Sequence, residues 1–178
     1  MVYILLAPGF EEAEALVPAD MLRRANIETT LVSLDGEPVP GSHGVTVTAD
    51  TTLDKLDPSR ADMVVLPGGP GHKNLGKDPS VERLVREMAG QGRWVAAICA
   101  APTLLGGWGL LAGKDAVCYP GMEAGLTGAR AKMDRSVVVD GKIVTGRAAG
   151  SAFDFGLTLV EALAGKEEAA KIQNGIHY

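Results

Sequence analysis

A chain of 178 residues, 46% apolar and only 4% aromatic, is long enough for one sizeable core of Val/Ile/Leu strands packed on Ala/Leu helices. Its formal net charge of −5 gives no electrostatic footprint for nucleic acid, and the cations are dispersed. The 2 cysteines, Cys99 and Cys118, make no disulfide framework and sit in no zinc-like spacing with histidine, so the expected setting is a reducing cytoplasm with no metal or other cofactor.

Residues 2–7 are an apolar run closed by Pro8-Gly9 and read as a buried strand. The run lacks a basic leader and is too short to span a membrane. A helix from about Glu12 to Ala25 places Leu16, Val17, Met21 and Leu22 on one face. Residues 28–34 read as a second strand, Asp35-Gly36-Glu37-Pro38 as a turn, and the alternation in 45–48 as a half-exposed strand. Met63 to Leu66 is a central strand ending at Pro67-Gly68-Gly69-Pro70-Gly71. A helix over 79–90 follows, then a buried strand over 94–98 and a helix after Cys99. Residues 116–119 read as a short strand and 136–145 as a hairpin about Asp140-Gly141. A helix over 150–164, with Ser151 as candidate cap, and a short helix over 166–173 complete a single domain spanning 1–178. Alternating strands and helices predict an α/β fold: a doubly wound, mostly parallel sheet with helices on both faces. Ligands of such sheets sit outside the carboxyl ends of the strands, near a topological switch point. The loop after Ala7, the Gly-rich loop after Leu66, and Cys99 converge there.

A cysteine between a buried strand and the start of a helix has its sulfur near free N–H groups and the positive end of a helix dipole, which favours the thiolate. Ala100 and Ala101 leave the approach open, and Pro102 suits an early helical position. The same residue is also read as a packed core thiol; Cys118, in apolar strand context, is read that way outright. Leu66-Pro67-Gly68-Gly69-Pro70-Gly71 lacks the spacing and the Lys-Ser/Thr pair of a phosphate loop. Its glycines permit close backbone approach, so that the N–H groups of Gly69 and Ala100 form an oxyanion hole, or they mark an ordinary strand-ending turn. Glu11 and Glu12 offset the dipole of the first helix and face water. Glu14 differs, because Pro18 four residues later leaves its carbonyl without a donor and distorts the helix there, turning Glu14 toward the strand ends.

Pro8-Gly9-Phe10-Glu11-Glu12-Ala13-Glu14, Leu66-Pro67-Gly68-Gly69, Ala96-Ala97-Ile98-Cys99-Ala100-Ala101-Pro102 and Thr145-Gly146-Arg147, in this order, resemble the ThiJ/PfpI superfamily, and above all its Parkinson-disease deglycase branch with the bacterial relatives. The resemblance covers nearly the whole chain. It implies a flavodoxin-like fold and a homodimer, with Cys99 as nucleophile on a strained turn. It further implies Glu14 hydrogen-bonded to the cysteine sulfur and the Gly69 and Ala100 amides as oxyanion donors. The activities it implies are glutathione-independent glyoxalase chemistry, removal of early glycation adducts, redox sensing and chaperone-like behaviour. Where many relatives carry a histidine after the cysteine this chain has Ala100, and where the deglycase branch often has His-Pro it has Tyr119-Pro120. His43 falls near a position where relatives often carry an arginine contributed to the partner's site, and His72 lies in the Gly-rich loop. Tyr119, His72, His43 and Gly68 are therefore pocket candidates, although both histidines also read as plain surface residues. Without a matched histidine, amide hydrolysis lacks its general acid.

These residues lead to an expected enzyme in which Cys99 adds to methylglyoxal or glyoxal and Glu14 moves a proton, or which cleaves the protein adducts of such aldehydes. The substrate is then a small aldehyde or a glycated protein, and neither nucleic acid nor membrane is a partner. Two alternatives remain: a redox sensor that oxidises Cys99 to a sulfinate beside protonated Glu14, and a hydrolase or amidotransferase-like protein. Cys99 is expected below the ordinary thiol pKa and Glu14 above the ordinary carboxyl value.

Overall fold

Val2–Leu6, entirely buried, form β1, which leads into helix α1 (Glu12–Arg24) and strand β2 (Thr29–Ser33). A small hairpin, β3 (Val39–Pro40) with β4 (Thr46–Val47), precedes the edge strand β5 (Thr51–Thr52) and the central strand β6 (Met63–Leu66). Then come α2 (His72–Lys77), α3 (Pro79–Gly90), β7 (Trp94–Ile98) and the short α4 (Pro102–Gly107). Strands β8 (Asp115–Ala116), β9 (Arg130–Ala131), β10 (Val137–Asp140) and β11 (Ile143–Gly146) are followed by α5 (Ala152–Ala164) and α6 (Lys166–Gly175). This computed structural model describes residues 1–34, 36 and 38–178.

The main sheet has 7 strands in the order β10-β11-β7-β6-β1-β2-β5. All pairings within it are parallel except β10 with β11. Successive side chains of β1 explain why both faces are covered. Val2, Ile4 and Leu6 pack with Met21 and Leu22 of α1 and Phe155, Leu159 and Val160 of α5. Tyr3 and Leu5 point the other way, onto Val81, Val85 and Met88 of α3 and Leu105 of α4. Strands this apolar cannot leave a face in water, so a parallel sheet sandwiched by helices is the stable arrangement. Helices α1 and α5 approach closely because position 156 is glycine: a Cβ there would lie 3.0 Å from Met21 Cγ and 3.1 Å from Pro18 Cα. The result is the doubly wound α/β architecture expected from the alternation of elements, in the flavodoxin-like form that the resemblance implied. The chain runs outward from β1 to β2 on one side and to β6 on the other, so the switch point lies between β1 and β6.

Several local expectations change. Helix α1 runs through Pro18 without a break. The 116–119 segment is a strand only at β8, paired with β9 in a separate two-stranded sheet. Beyond Ala116 its groups bond across the ends of the main sheet: Val117 N–H donates to Thr145 Oγ1 at 3.0 Å and Tyr119 N–H to the Cys99 carbonyl at 2.7 Å. Ser151 precedes α5 but makes no side-chain cap. The turn expected over 35–38 includes Asp35 and Glu37, which lie outside the described residues. Among the described residues no helix is long and apolar enough to cross a membrane.

Candidate active site

The backbone bends sharply where β7 ends. Cys99 has φ +65°, in the left-handed region that side chains with a Cβ avoid. Such a residue costs about 1–3 kcal/mol and persists only where its surroundings over-determine it. Here they do: Cys99 N–H donates to the Gly146 carbonyl at 2.9 Å, and its own carbonyl accepts from Tyr119 N–H at 2.7 Å. The turn lifts the sulfur out of the sheet, and Cys99 is 9% exposed.

Glu14 reaches this sulfur from α1. It is fully buried, and its Oε2 accepts a hydrogen bond from Gly68 N–H at 2.9 Å. The Cys99 side chain and this carboxyl both crowd the position that a side chain on Gly68 would take. Oε1 is buried with no partner among the described residues. Gly68 makes this meeting possible. A Cβ built on it would stand 2.7 Å from Cys99 Cβ, 2.7 Å from Glu14 Oε2 and 3.0 Å from Ala100 N, so no side chain fits. The backbone amides of Gly69 and Ala100 favour the thiolate form of Cys99. Cys99, Glu14, Gly68, Gly69 and Ala100 thus gather at the carboxyl ends of β6 and β7, with α1 supplying the acid.

Burial pushes the Glu14 carboxyl up to about 7, with Glu11 adding to the shift and the Cys99 and Gly68 hydrogen bonds opposing it. Burial also pushes the Cys99 thiol up, to about 12, reinforced by the Glu14 charge and hydrogen bond; the Gly69 and Ala100 amides pull it back only in part. The expectation of a depressed thiol is reversed. The helix behind Cys99 has only 6 residues, so its dipole is small beside desolvation and a neighbouring carboxylate. The two groups are best treated as one acid that shares a single proton between about 7 and about 12.

The pocket candidates separate. Tyr119 is 48% exposed and touches Cys99 through its backbone. His72, the first residue of α2, brings its Nδ1 to 2.8 Å from the Gly69 carbonyl. His43 is drawn elsewhere: its ring lies 3.2 Å from Glu12 Oε2 and 3.4 Å from Glu11 Oε2. Neither ring is among the groups that perturb Cys99. Glu12, expected to face water, is instead buried. Burial pushes it up, but N–H groups, including those of His43 and Val45 and the His43 ring, outweigh this and hold it at about 2. Glu11, Glu12 and His43 offer three ligand atoms within 4.8 Å of one another, but Ser42 and His43 already engage both carboxylates. Gly146, whose carbonyl anchors Cys99, was visible in sequence only as part of Thr145-Gly146-Arg147.

The DJ-1/PfpI family model matches residues 1–162. Protein dj-1beta of Drosophila melanogaster is 41% identical over 97% of this chain and 94% of its own length. Its crystal structure superposes with a TM-score of 0.92 at 39% identity, covering 98% of this chain and 96% of that one. The glutathione-independent glyoxalase DJR-1.2 of Caenorhabditis elegans is 31% identical over 93% of this chain and 89% of its own length. Deglycase PH1704 of Pyrococcus horikoshii is 33% identical over 82% of this chain and 89% of its own. The chain belongs to the DJ-1/PfpI family.

Proposed function

We propose that this protein is a cysteine-dependent enzyme of α-oxoaldehydes, converting methylglyoxal to lactate and glyoxal to glycolate without glutathione, or releasing the early protein adducts of these aldehydes. One observation carries the reading: a fully buried carboxyl, Glu14, packed beside Cys99 against the bare backbone of Gly68. Relatives named as a glyoxalase and a deglycase support it.

The chemistry follows from the proton inventory. Above about pH 7 the pair holds one proton, so Glu14 as carboxylate takes the thiol proton while Cys99 Sγ bonds to the aldehyde carbon. The carbonyl π electrons move to oxygen, and the Gly69 and Ala100 amides stabilise that oxyanion until the proton returns to it. The product is a hemithioacetal. Glu14 then removes the proton from the former aldehyde carbon, giving an enediol, and delivers it to the adjacent carbon. This leaves a 2-hydroxy thioester on Cys99. Water hydrolyses it, releasing the hydroxy acid and the thiol. In balance, oxoaldehyde and water give one hydroxy acid with no external oxidant. For an adduct, Cys99 Sγ bonds to the carbinol carbon as the bond from that carbon to the protein nitrogen or sulfur breaks, the thiol proton passing through Glu14 to the released group; the resulting hemithioacetal then follows the same course to the hydroxy acid.

A redox role for the same thiol is the second reading; turnover is preferred because a buried carboxyl stands beside Cys99 to take up and return a proton. The enzyme is proposed to act in the cytoplasm as a homodimer. The test is lactate production from methylglyoxal by the unmutated chain and by Cys99→Ser. Lactate from the first and none above background from the second is the expected result. Undiminished production by Cys99→Ser, or none by either, overturns the reading.

A further inference from the structure

Thr145 has no part in the chemistry above, yet it is a buried polar residue in the interior of the sheet. It lies on β11, paired with Ala97 of β7 on one side and Val138 of β10 on the other. A β-branched side chain suits such a strand, and valine would suit it as well. What valine lacks is the hydroxyl oxygen, which accepts a hydrogen bond from Val117 N–H at 3.0 Å. Val117 is fully buried, so its N–H depends on that oxygen. Two residues further on, Tyr119 N–H donates to the Cys99 carbonyl at 2.7 Å. Among the described residues these are the backbone N–H groups of the 117–119 segment that donate, and the Cys99 carbonyl accepts from no other group. That carbonyl and the Ala100 N–H belong to one planar trans peptide, so the bond that holds the oxygen also sets the direction of the hydrogen on the opposite edge. The Ala100 nitrogen lies 3.0 Å from the Cβ position of Gly68, in the same tight gap that Cys99 Cβ and Glu14 Oε2 border. Among the described residues its N–H donates to no carbonyl.

We propose that Thr145 is a positioning residue: its hydroxyl seats the 117–119 segment so that Tyr119 N–H holds the Cys99 carbonyl, and with it the Ala100 N–H on the other edge of the same peptide. The peptide before Cys99 is held from the same strand, because Cys99 N–H donates to the Gly146 carbonyl. Thr145 and Gly146 together therefore fix both peptides that flank the left-handed Cys99 backbone. For the oxyanion the proposal rests on the oxoaldehyde reading; the bonds that hold the turn do not. A preorganised donor is effective because nothing has to reorient as charge develops. With the 117–119 segment unseated, the 99–100 peptide is free to rotate and its N–H spends part of its time turned away.

The test compares the unmutated chain with Thr145→Val, Thr145→Ser and, as a control for lost stability, Val144→Ala. Valine keeps the shape but leaves Val117 N–H without its acceptor, whereas serine keeps the oxygen. Val144→Ala loosens the same strand and touches neither bond. Two readouts are taken: kcat and KM for methylglyoxal, and the rate of Cys99 alkylation by iodoacetamide, with the modified residue identified by mass spectrometry. The second needs no oxoaldehyde activity. Deleting an oxyanion donor costs roughly a hundredfold or more in kcat, so loosening one is expected to cost about tenfold in Thr145→Val, with KM unchanged. Alkylation of the same variant should slow about fivefold, because a turned-away Ala100 amide no longer favours the thiolate. Thr145→Ser and Val144→Ala should stay within about twofold of the unmutated chain on both readouts, although the alanine variant melts earlier. Alkylation of Thr145→Val at the unmutated rate overturns the proposal, as does undiminished kcat in that variant. A serine variant or a Val144→Ala control as impaired as Thr145→Val overturns it too. Slowed alkylation confined to Thr145→Val, in a protein with no oxoaldehyde turnover, sinks the functional reading while leaving Thr145 in its role. If Thr145→Val fails to fold, Tyr119→Pro decides. It removes the second amide hydrogen from an exposed position, and normal alkylation in that variant overturns the proposal.

Discussion

Two cysteines, one on each side of the main sheet, show what separates a reactive thiol from a packed one. Cys99 belongs to the core layer beneath α1 and α5, Cys118 to the layer beneath α3 and α4. Both are buried, and burial raises both thiols, to about 12 and about 11. Burial alone therefore does not distinguish them. Cys99 has a left-handed backbone, a buried carboxyl beside it across Gly68, and two backbone amides that favour its thiolate. Cys118 has its neighbour's carbonyl, 3.4 Å from its sulfur, and Glu123 as a charge that only raises its thiol further. The lesson is that partners able to take the proton and the negative charge make the nucleophile.

That contrast is broken most severely at the two thiols themselves. Cys99→Ser is expected to remove turnover to background while leaving thermal unfolding nearly unchanged. Cys118→Ala should turn over normally and lose about 1 kcal/mol of stability, a typical cost for a core substitution, measured by denaturant unfolding. Activity lost in both variants, or in Cys118→Ala alone, would erase the distinction.

Next in size is Gly68→Ala. Its Cβ has no space between Cys99 Cβ and Glu14 Oε2, each 2.7 Å away, so the pair must be wedged apart. Turnover should fall by roughly a hundredfold, since a misplacement on the order of 1 Å costs that much. A circular dichroism spectrum like that of the unmutated chain would place the damage at the site.

Glu14→Gln separates proton transfer from stability. Glutamine keeps an acceptor for Gly68 N–H but takes no proton, so turnover should collapse. Stability should move the other way. The Glu14 pKa is raised from 4.5 to about 7, so the contribution of its neutral form is complete below pH 4.5 and is lost as pH rises through about 7. The unmutated chain should thus lose up to about 3 kcal/mol between pH 4 and pH 8 at this site, and Glu14→Gln should lack that slope. Parallel pH–stability curves would show that the carboxyl is not desolvated as described. Tyr119→Phe is the smallest change. It retains the amide that bonds the Cys99 carbonyl, so turnover should stay within about threefold of the unmutated chain.

The fold was legible wherever apolar periodicity was strong. The runs at 2–7, 63–66 and 94–98 and the amphipathic 79–90 helix set up the parallel sheet and its covering layers. The meeting of the Ala7 loop, the Gly-rich loop and Cys99 followed from the alternation of strands and helices, which puts the loops after parallel strands at one end of the sheet. Less legible were elements defined by long-range bonds. Strand β5 is a two-residue edge, and Val117 to Tyr119 gives its N–H groups to Thr145 and Cys99 rather than to a strand partner. Glu12 has the sequence context of a solvated helix-start acid, yet the 41–45 loop wraps it in donors, with Gly41 leaving room for its carboxylate. The direction of the Cys99 shift was misread for a related reason. A motif shows the helix that follows a thiol, but not how completely a carboxyl from another helix is buried against it.

The most direct test of the account is the pH dependence of kcat for lactate formation from methylglyoxal. If Cys99 and Glu14 share one proton in the working enzyme, kcat should rise through about pH 7, falling roughly thirtyfold from its plateau by pH 5.5, and stay level through pH 9. A rate that is flat through pH 7 and climbs only near the titration of an ordinary thiol would contradict it, because Cys99 would then be ionising without Glu14.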